Sequence, residues 1–435
     1  MFGVPPTGDF LMLPSLYAIA TLDTKGHELA FVAQCLRAAG VPVVTVDVGT
    51  KDAPQITPDI SREQVAAHAP NSLGHTDRGT AVTAMSAALV AFLQAEHAAG
   101  KISGVIGLGG SGGTALIAPT MRALPIGLPK LLVSTVASGN TAPYLGCCDI
   151  TLMPSVVDVA GINRVSRQVL ANAAHAIAGM VSHPAPRGED KPTLGMTMFG
   201  VTTPCVTMVR QQLEADGYDC LVFHATGAGG QAMEKLVGSG LINGVLDITT
   251  TEVADEVVGG VFPAGPERFD VILAKGIPYV MSLGALDMVN FGAKDTVPPQ
   301  FQNRKLHVHN AQVTLMRTTP DENRRFAHWI AAKINRSQAP LILLIPEKGV
   351  SLLDAPGQPF YDPEADRALF EELESTVVRS KTRQIRRVPH HINDPAFAQA
   401  LLSAFREVVP DYRQSGSESA VGLPSPPYSG ERGRG

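Results

Sequence analysis

The sequence predicts an α/β protein of two doubly wound domains, each built on a mainly parallel sheet with helices on both faces. Three observations carry this. A short apolar run, GVIGL at residues 104–108, leads into a glycine loop, GGSGGT at 109–114, and then into a helical pattern that reaches residue 123. Strand and helix signals alternate through the first half, which is the grammar of a parallel sheet. After a proline-rich break the second half restarts that grammar. At 435 residues the chain is also too long for one ordinary core, so two domains are expected.

In order, the first strand is read at residues 17–22. A helix follows at 27–39, with Leu29, Val32, Ala33 and Leu36 on one face and Gly40 closing it as a C-terminal cap. The next strand is 41–47. An alanine-rich, strongly apolar helix is read at 81–99, then the glycine-loop strand, a strand at 130–135 and a helix at 161–180. Residues 183–193, HPAPRGEDKPT, mix charge with three prolines and are read as a linker. Beyond it, residues 194–217 resemble residues 18–40. Placing Gly40 on Gly217 sets Phe31 on Met208, Val32 on Val209 and Leu36 on Leu213. The strands 43–47 and 220–224 then follow in register, and a second glycine turn, TGAGG, comes at 226–230. A strand at 341–345 and helices at 363–377 and 395–408 complete the pattern. From residue 414 the chain is Gly, Ser and Pro without apolar periodicity and is read as disordered. The expected organisation is thus a Rossmann-like domain at 1–182, a linker at 183–193, a second Rossmann-like domain at 194–413 and a tail at 414–435. Relatedness by duplication and ordinary likeness between βα units both fit the internal match.

Bulk composition narrows the function. Hydrophobic residues at 45% and charged residues at 17% describe a globular protein. A net charge of -5 and a pI near 6.2 argue against a nucleic-acid partner held by charge. Aromatics at 5%, with the single tryptophan Trp329, offer no base-stacking platform. No apolar run is expected to span a bilayer, and the N-terminus lacks a basic segment and carries Asp9 among prolines, unlike a signal peptide. Five cysteines without a C-x-x-C pair suggest reduced thiols and a cytoplasmic location.

Strand, glycine loop and helix N-terminus together make an anion site, because glycine lets the backbone approach and the helix start offers unpaired N–H groups. Three motifs fit the same residues. Gly107, Gly109 and Gly112 spell G-x-G-x-x-G, but the next strand ends in Ser134 and Thr135, not in the carboxylate that anchors a dinucleotide ribose. Residues 107–114 spell a P-loop with Gly113 in place of its lysine. Ser111 between Gly109 and Gly113 spells the G-x-S-x-G turn of a serine hydrolase. The loop after the first strand, TLDTKG at 21–26, adds an acid, hydroxyls and a lysine where open α/β sheets bind ligands. Here Lys25 can replace the absent P-loop charge, Thr24 can donate to a phosphate oxygen and Asp23 can hold Mg²⁺. A capped helix start, with Asp23 or Thr24 as the cap, explains the same residues. Asp47 ends the second strand in a position suited to a ribose, or to capping a turn; Ser138, Asn140 and Asp158 are further strand-end polar residues. In the second half, residues 247–252 read as strand end and helix cap. His307 and His309 share a strand face but lack a third zinc ligand. Residues 346–351 and 359–363 read as loops at the sheet's end that either line a cleft or turn the chain.

TLDTKG at 21–26, GLGGSGGT at 107–114 and FYDPEAD at 360–366 together resemble the ATP-binding family represented by the amino-terminal domain of the tomato mosaic virus resistance protein. The resemblance runs from about residue 16 to residue 409. It implies two Rossmann-like domains, ATP on the first, and a homodimer. Carried over by motif, the nucleotide loops are 21–25 and 109–114; with the strand-end residues they give a contact set of Thr21, Asp23, Thr24, Lys25, Asp47, Gly109, Gly110, Ser111, Gly112, Gly113, Thr114, Ser134 and Thr135, with Asp23 on the metal. Longer members continue into a TIM-barrel domain, so a separate TIM-barrel enzyme is an expected partner. The expected function is an ATP-binding protein with Mg²⁺, acting as a slow ATPase or an ATP-dependent module. The alternatives are a serine hydrolase using Ser111 and a non-catalytic regulatory binding module.

Overall fold

The computed structural model describes residues 14–183, 185–186 and 191–409. The tail read at 414–435 and part of the linker lie outside these residues. Contacts between Cα atoms divide the chain into two compact units, Met1–Asp190 with Lys235–Leu241, and Lys191–Glu234 with Ile242–Gly435.

The first unit runs β1 (Ser15–Ala20), α1 (Leu22–Ala38), β2 (Val43–Asp47), α2 (Arg62–Ala66), α3 (Arg78–Ala98), β3 (Ile102–Gly109), α4 (Ser111–Ala123), β4 (Lys130–Ser134), α5 (Ala142–Leu145), β5 (Thr151–Pro154) and α6 (Arg164–Ser182). Its five strands are all parallel, in the order β2-β1-β3-β4-β5. Side chains on a strand alternate between faces, and β1 shows it. Leu16, Ala18 and Ala20 join Leu29, Val32 and Leu36 of α1 and Leu170, Ala174 and Ile177 of α6 in one apolar cluster. Tyr17 and Ile19 point to the other face, into a cluster with Met85, Leu89 and Phe92 of α3 and Leu116 and Ile117 of α4. Burial on both faces is why these strands read as continuous apolar runs.

Contrary to the sequence reading, one helix, α3, is long and apolar enough to cross a membrane by length and composition. Its Ala81, Met85, Ala88, Leu89, Phe92 and Leu93 are buried in the first unit's core. Core helices of α/β proteins meet that composition because they face a sheet that is itself apolar.

The second unit runs β6 (Thr193–Met198), α7 (Thr203–Ala215), β7 (Asp219–His224), α8 (Ala228–Gly238), β8 (Gly244–Thr249), α9 (Thr251–Val258), α10 (Asp270–Lys275), β9 (Tyr279–Gly284), β10 (Met288–Phe291), β11 (Leu306–Asn310), β12 (Val313–Arg317), α11 (Pro320–Ile334), β13 (Leu341–Pro346), α12 (Pro363–Thr376), β14 (Arg383–Val388) and α13 (Pro395–Val408). Six parallel strands follow the order β14-β13-β9-β8-β6-β7. Read from β6, this repeats the order of the first unit and adds one strand. Both units are therefore Rossmann-like, as expected. What the sequence reading lacks is the antiparallel sheet β10-β12-β11, inserted between β9 and α11. Its strands are four or five residues long, too short for alternation to stand out.

Candidate functional site

In an open α/β sheet the strand order reverses at one point, and the loops beyond it diverge to leave a crevice. In the first unit that point lies between β1 and β3. A cavity of about 390 Å³ sits there, within the range of small-molecule sites. Two predicted loops meet in its wall: Thr21, Asp23, Thr24 and Lys25 after β1, and Gly110, Ser111, Gly112 and Gly113 after β3, with Thr135 after β4.

The glycine loop has a steric reason. A Cβ on Gly109 would stand 2.6 Å from the N of Thr114 and 2.7 Å from the carbonyl carbon of Gly113. Only glycine lets β3 turn straight into α4. Gly110 caps α4 without any side-chain hydrogen bond, so the first-turn N–H groups of Ser111, Gly112 and Gly113 face outward without a helical acceptor. Gly109, Thr114 and Ser134 support the loop from behind rather than line the cavity. The hydroxyls of Thr114 and Ser134 lie 2.6 Å apart and are buried, and Ser134 Oγ accepts the N–H of Val136.

The β1–α1 loop is held differently from the capping that the sequence suggests. Helix α1 begins at Leu22, earlier than predicted, and Thr21 gives it no side-chain cap. Asp47 does that work. Its Oδ1 accepts the N–H of Leu22 at 3.0 Å and of Gly49 at 2.8 Å. Burial raises the pKa of Asp47 despite those two donors. Asp47 is thus a buried brace between loops and not part of the cavity wall. Lys25 breaks the helical geometry with ψ 19° and lines the cavity. The hydroxyls of Thr21 and Thr24 are 2.9 Å apart. Asp23 accepts the N–H of Lys51 through Oδ2 at 3.2 Å, while its Oδ1 is buried with no partner. An oxygen in that state suits a cation, which is the fit Mg²⁺ requires.

Three polar cavity residues, Thr50, Lys51 and Arg78, were not among those predicted; Asp158, read only as a strand-end acid, also lines it. Arg78 matters most. A Cβ on Gly112 would stand 3.1 Å from its Nη2, so the guanidinium overhangs the loop whose P-loop lysine is missing. The signal was in the sequence: Asp77 caps α3 by accepting the N–H of Thr80 at 2.7 Å, an N-cap pattern that starts the helix at Arg78. Ser138 and Asn140 do not line the cavity. A nucleophile elbow strains its serine, whereas Ser111 starts α4 as an ordinary helical residue, and no histidine lines the cavity.

The second unit fills the corresponding places with its own side chains. Phe199 and Val201, after β6, are buried with Ala285, Met288, Leu315 and Phe360, so the inserted sheet plugs the switch point. The turn at 226–230 encloses Glu252, whose Oε1 accepts the N–H of Gly227 at 2.8 Å and of Gly230 at 3.1 Å. Residues 247–252 are therefore not chiefly a helix cap, since Thr250 gives α9 no side-chain cap. Asp247, Glu252 and Glu234 surround the buried Arg268 at 2.8, 2.9 and 3.1 Å. His307 and His309 lie on β11, and no group of three metal-ligating side chains occurs among the described residues.

Comparison with known proteins gives the family. Residues 14–186 match the N-terminal domain, and residues 191–409 the C-terminal domain, of the uncharacterised protein family UPF0261. The chain belongs to the UPF0261 family. A UPF0261 protein of Rhizobium meliloti is 55% identical over 397 residues, which cover 90% of this chain and 98% of that protein. A UPF0261 protein of Clostridium tetani is 49% identical over 399 residues, covering 90% and 98%. The ToMV resistance protein Tm-1(GCR237) of Solanum lycopersicum is 49% identical over 430 residues, covering 92% of this chain and 56% of that protein. The resemblance drawn from TLDTKG, GLGGSGGT and FYDPEAD thus leads to the UPF0261 fold family and to its tomato relative.

Proposed function

We propose that this UPF0261 chain binds ATP with Mg²⁺ in the cavity between β1 and β3. The observation that carries the reading is one juxtaposition: the outward N–H groups of Ser111, Gly112 and Gly113 share a cavity with the cations Lys25, Lys51 and Arg78. That set is complementary to a polyphosphate and to little else. Thr24 and Thr135 supply hydroxyl donors, and the partnerless Oδ1 of Asp23 is the metal-facing oxygen. Mg²⁺, when bound, neutralises charge between phosphates. Arg78 takes the electrostatic role of the P-loop lysine, and Asp47 fixes the loop from which Asp23 and Lys25 project. The same reading makes the chain a slow ATPase or an ATP-dependent module, homodimeric and cytoplasmic, working with a separate TIM-barrel enzyme.

The test is thermal unfolding with ATP, ADP, NAD or no ligand, each with and without Mg²⁺, for the protein and for Gly112→Val. A ligand that binds only the folded state raises Tm by mass action. The expected result is a rise with ATP that disappears in a still-folded Gly112→Val, whose side chain displaces Arg78. Absence of a shift with every nucleotide at millimolar concentration overturns the reading.

A further inference from the structure

The second unit holds a cavity of about 700 Å³ where β13 and β14 end. Both loops that the sequence marks in this half contribute to its wall, through Lys348 and Tyr361. Its charges are unevenly engaged. Arg387 is paired with Glu374 at 2.7 Å and with Glu347 at 3.4 Å. His391 is fixed: Nε2 donates to the carbonyl of Ser351 at 2.8 Å, and Nδ1 accepts the N–H of Asn393 at 3.1 Å. Asp394 accepts the N–H of His391. Lys348 and Arg367 have no ion-pair partner among the described residues. The acids of the wall are engaged, and two of its cations are free.

Asp366 lies in the floor, only 7% exposed. Its Oδ1 accepts Arg317 Nη2 at 2.7 Å, and the same Nη2 lies 3.7 Å from Asp354 Oδ1. Asp354 is fully buried, and its Oδ1 has no hydrogen-bond partner. A third buried acid, Asp287, accepts Ser351 Oγ at 2.7 Å. One guanidinium thus serves two buried carboxyl groups, Asp366 and Asp354, a costly arrangement away from water. Burial, and then the neighbouring Asp354, raise the pKa of Asp366. An apolar filling would be as stable or more so, so a network of this kind beside a cavity points to a ligand.

We propose that this cavity is a second ligand site, taking a small hydroxylated organic anion: Lys348 and Arg367 hold its carboxylate or phosphate, and its hydroxyl donates to Asp366. The two free cations demand the anionic group. The floor carboxyl group, with lone pairs left after Arg317 is served, demands the hydroxyl. Phe370, Ala355 and Pro356 cover the carbon skeleton. The proposal is independent of the nucleotide reading.

The experiment is calorimetric titration of the full chain with L-malate and with glycerol 3-phosphate, each against its deoxy counterpart, succinate or propyl phosphate. Saturable binding of either hydroxylated anion, about tenfold tighter than its counterpart, is expected. Malate alone names a carboxylate ligand and glycerol 3-phosphate alone a phosphate. The Lys348→Ala/Arg367→Ala double variant, which changes only exposed residues, should lose binding while keeping its unfolding transition. Asp366→Asn keeps an oxygen to accept Arg317, but its amide nitrogen no longer accepts. It should fold and lose the preference for the hydroxyl. Failure of both anions to titrate, or unchanged binding in the folded double variant, overturns the site; unchanged hydroxyl preference in Asp366→Asn overturns the role of Asp366.

Discussion

Glu252 closes the glycine turn of the second unit around itself: Gly230 donates its N–H to Oε1, while Oε2 accepts Arg268 Nε at 2.9 Å. The same kind of turn in the first unit opens onto a cavity ringed by lysine and arginine. The glycine turn after β7 is thus an internal brace around a carboxylate, whereas the one after β3 opens onto a cavity. Removing that carboxylate should be costly. Glu252→Ala strands two backbone N–H groups and one side of a buried guanidinium, each unmet donor costing about 1–3 kcal/mol. The second unit should lose about 3–5 kcal/mol, read from urea unfolding. A loss under 1 kcal/mol would mean that water replaces Glu252 in the turn.

Arg78 is exposed and makes no ion pair among the described residues, so Arg78→Ala should leave the ligand-free Tm nearly unchanged. On the nucleotide reading, the same variant should weaken ATP binding by about ten- to a hundredfold, the worth of one charge-assisted hydrogen bond. Titration calorimetry of both proteins at one ionic strength decides it. Equal affinities would remove Arg78 from the site and leave Lys25 and Lys51 as its cations.

How much of this was legible in the sequence follows from range. The β3–α4 turn is local, and its glycines announce it. The clustering of Thr21, Asp23, Thr24 and Lys25 against Gly110–Gly113 followed from one rule about strand ends in parallel sheets. Asp47 was placed on the right strand, yet its task, gripping Leu22 from 25 residues away, is a tertiary contact that no local pattern encodes. Arg78 was hidden by a helix start placed three residues late. Arg268 was invisible, because its partners Glu234, Asp247 and Glu252 come from three different elements. The FYDPEAD motif was recognised as a pattern, but only the fold shows that Arg317 Nε binds the carbonyl of Phe360 at 2.7 Å while Asp366 receives the other end of that guanidinium.

The two neighbouring glycines of the first loop should respond in opposite ways to alanine. At Gly109 the new methyl group meets the backbone of residues 113 and 114 at 2.6–2.7 Å, which is overpacking against atoms that cannot rotate away. A cost of about 1–3 kcal/mol is expected. At Gly113 the nearest atom is the carbonyl oxygen of Leu108 at 3.6 Å, an ordinary contact. Gly113→Ala lies in the first turn of α4 and should hold or raise stability by up to about 1 kcal/mol. Thermal unfolding of both variants separates them; a similar loss in both would mean that the loop is not set by the close approach at Gly109.

Asp255 gives the second unit a dependence on pH. It is fully buried on α9 and accepts the N–H of Asn290 at 2.6 Å and its Nδ2 at 2.8 Å. Burial outweighs those donors and pushes its carboxyl group up from 3.8 to about 7. The folded protein therefore keeps this proton up to about pH 7, while the unfolded chain gives it up near pH 3.8. Between those values the folded state holds the extra proton, so the contribution is fully present at low pH and is lost as pH rises to about 7. Asp255→Asn removes the titration. Its amide meets donors where the carboxyl group met them, so it should be the less stable protein at pH 4. The deficit should shrink steadily toward pH 7, because only the parent protein loses stability at this position. Tm measured for both at half-unit steps of pH gives the difference directly, and a difference that stays constant would place the Asp255 proton elsewhere.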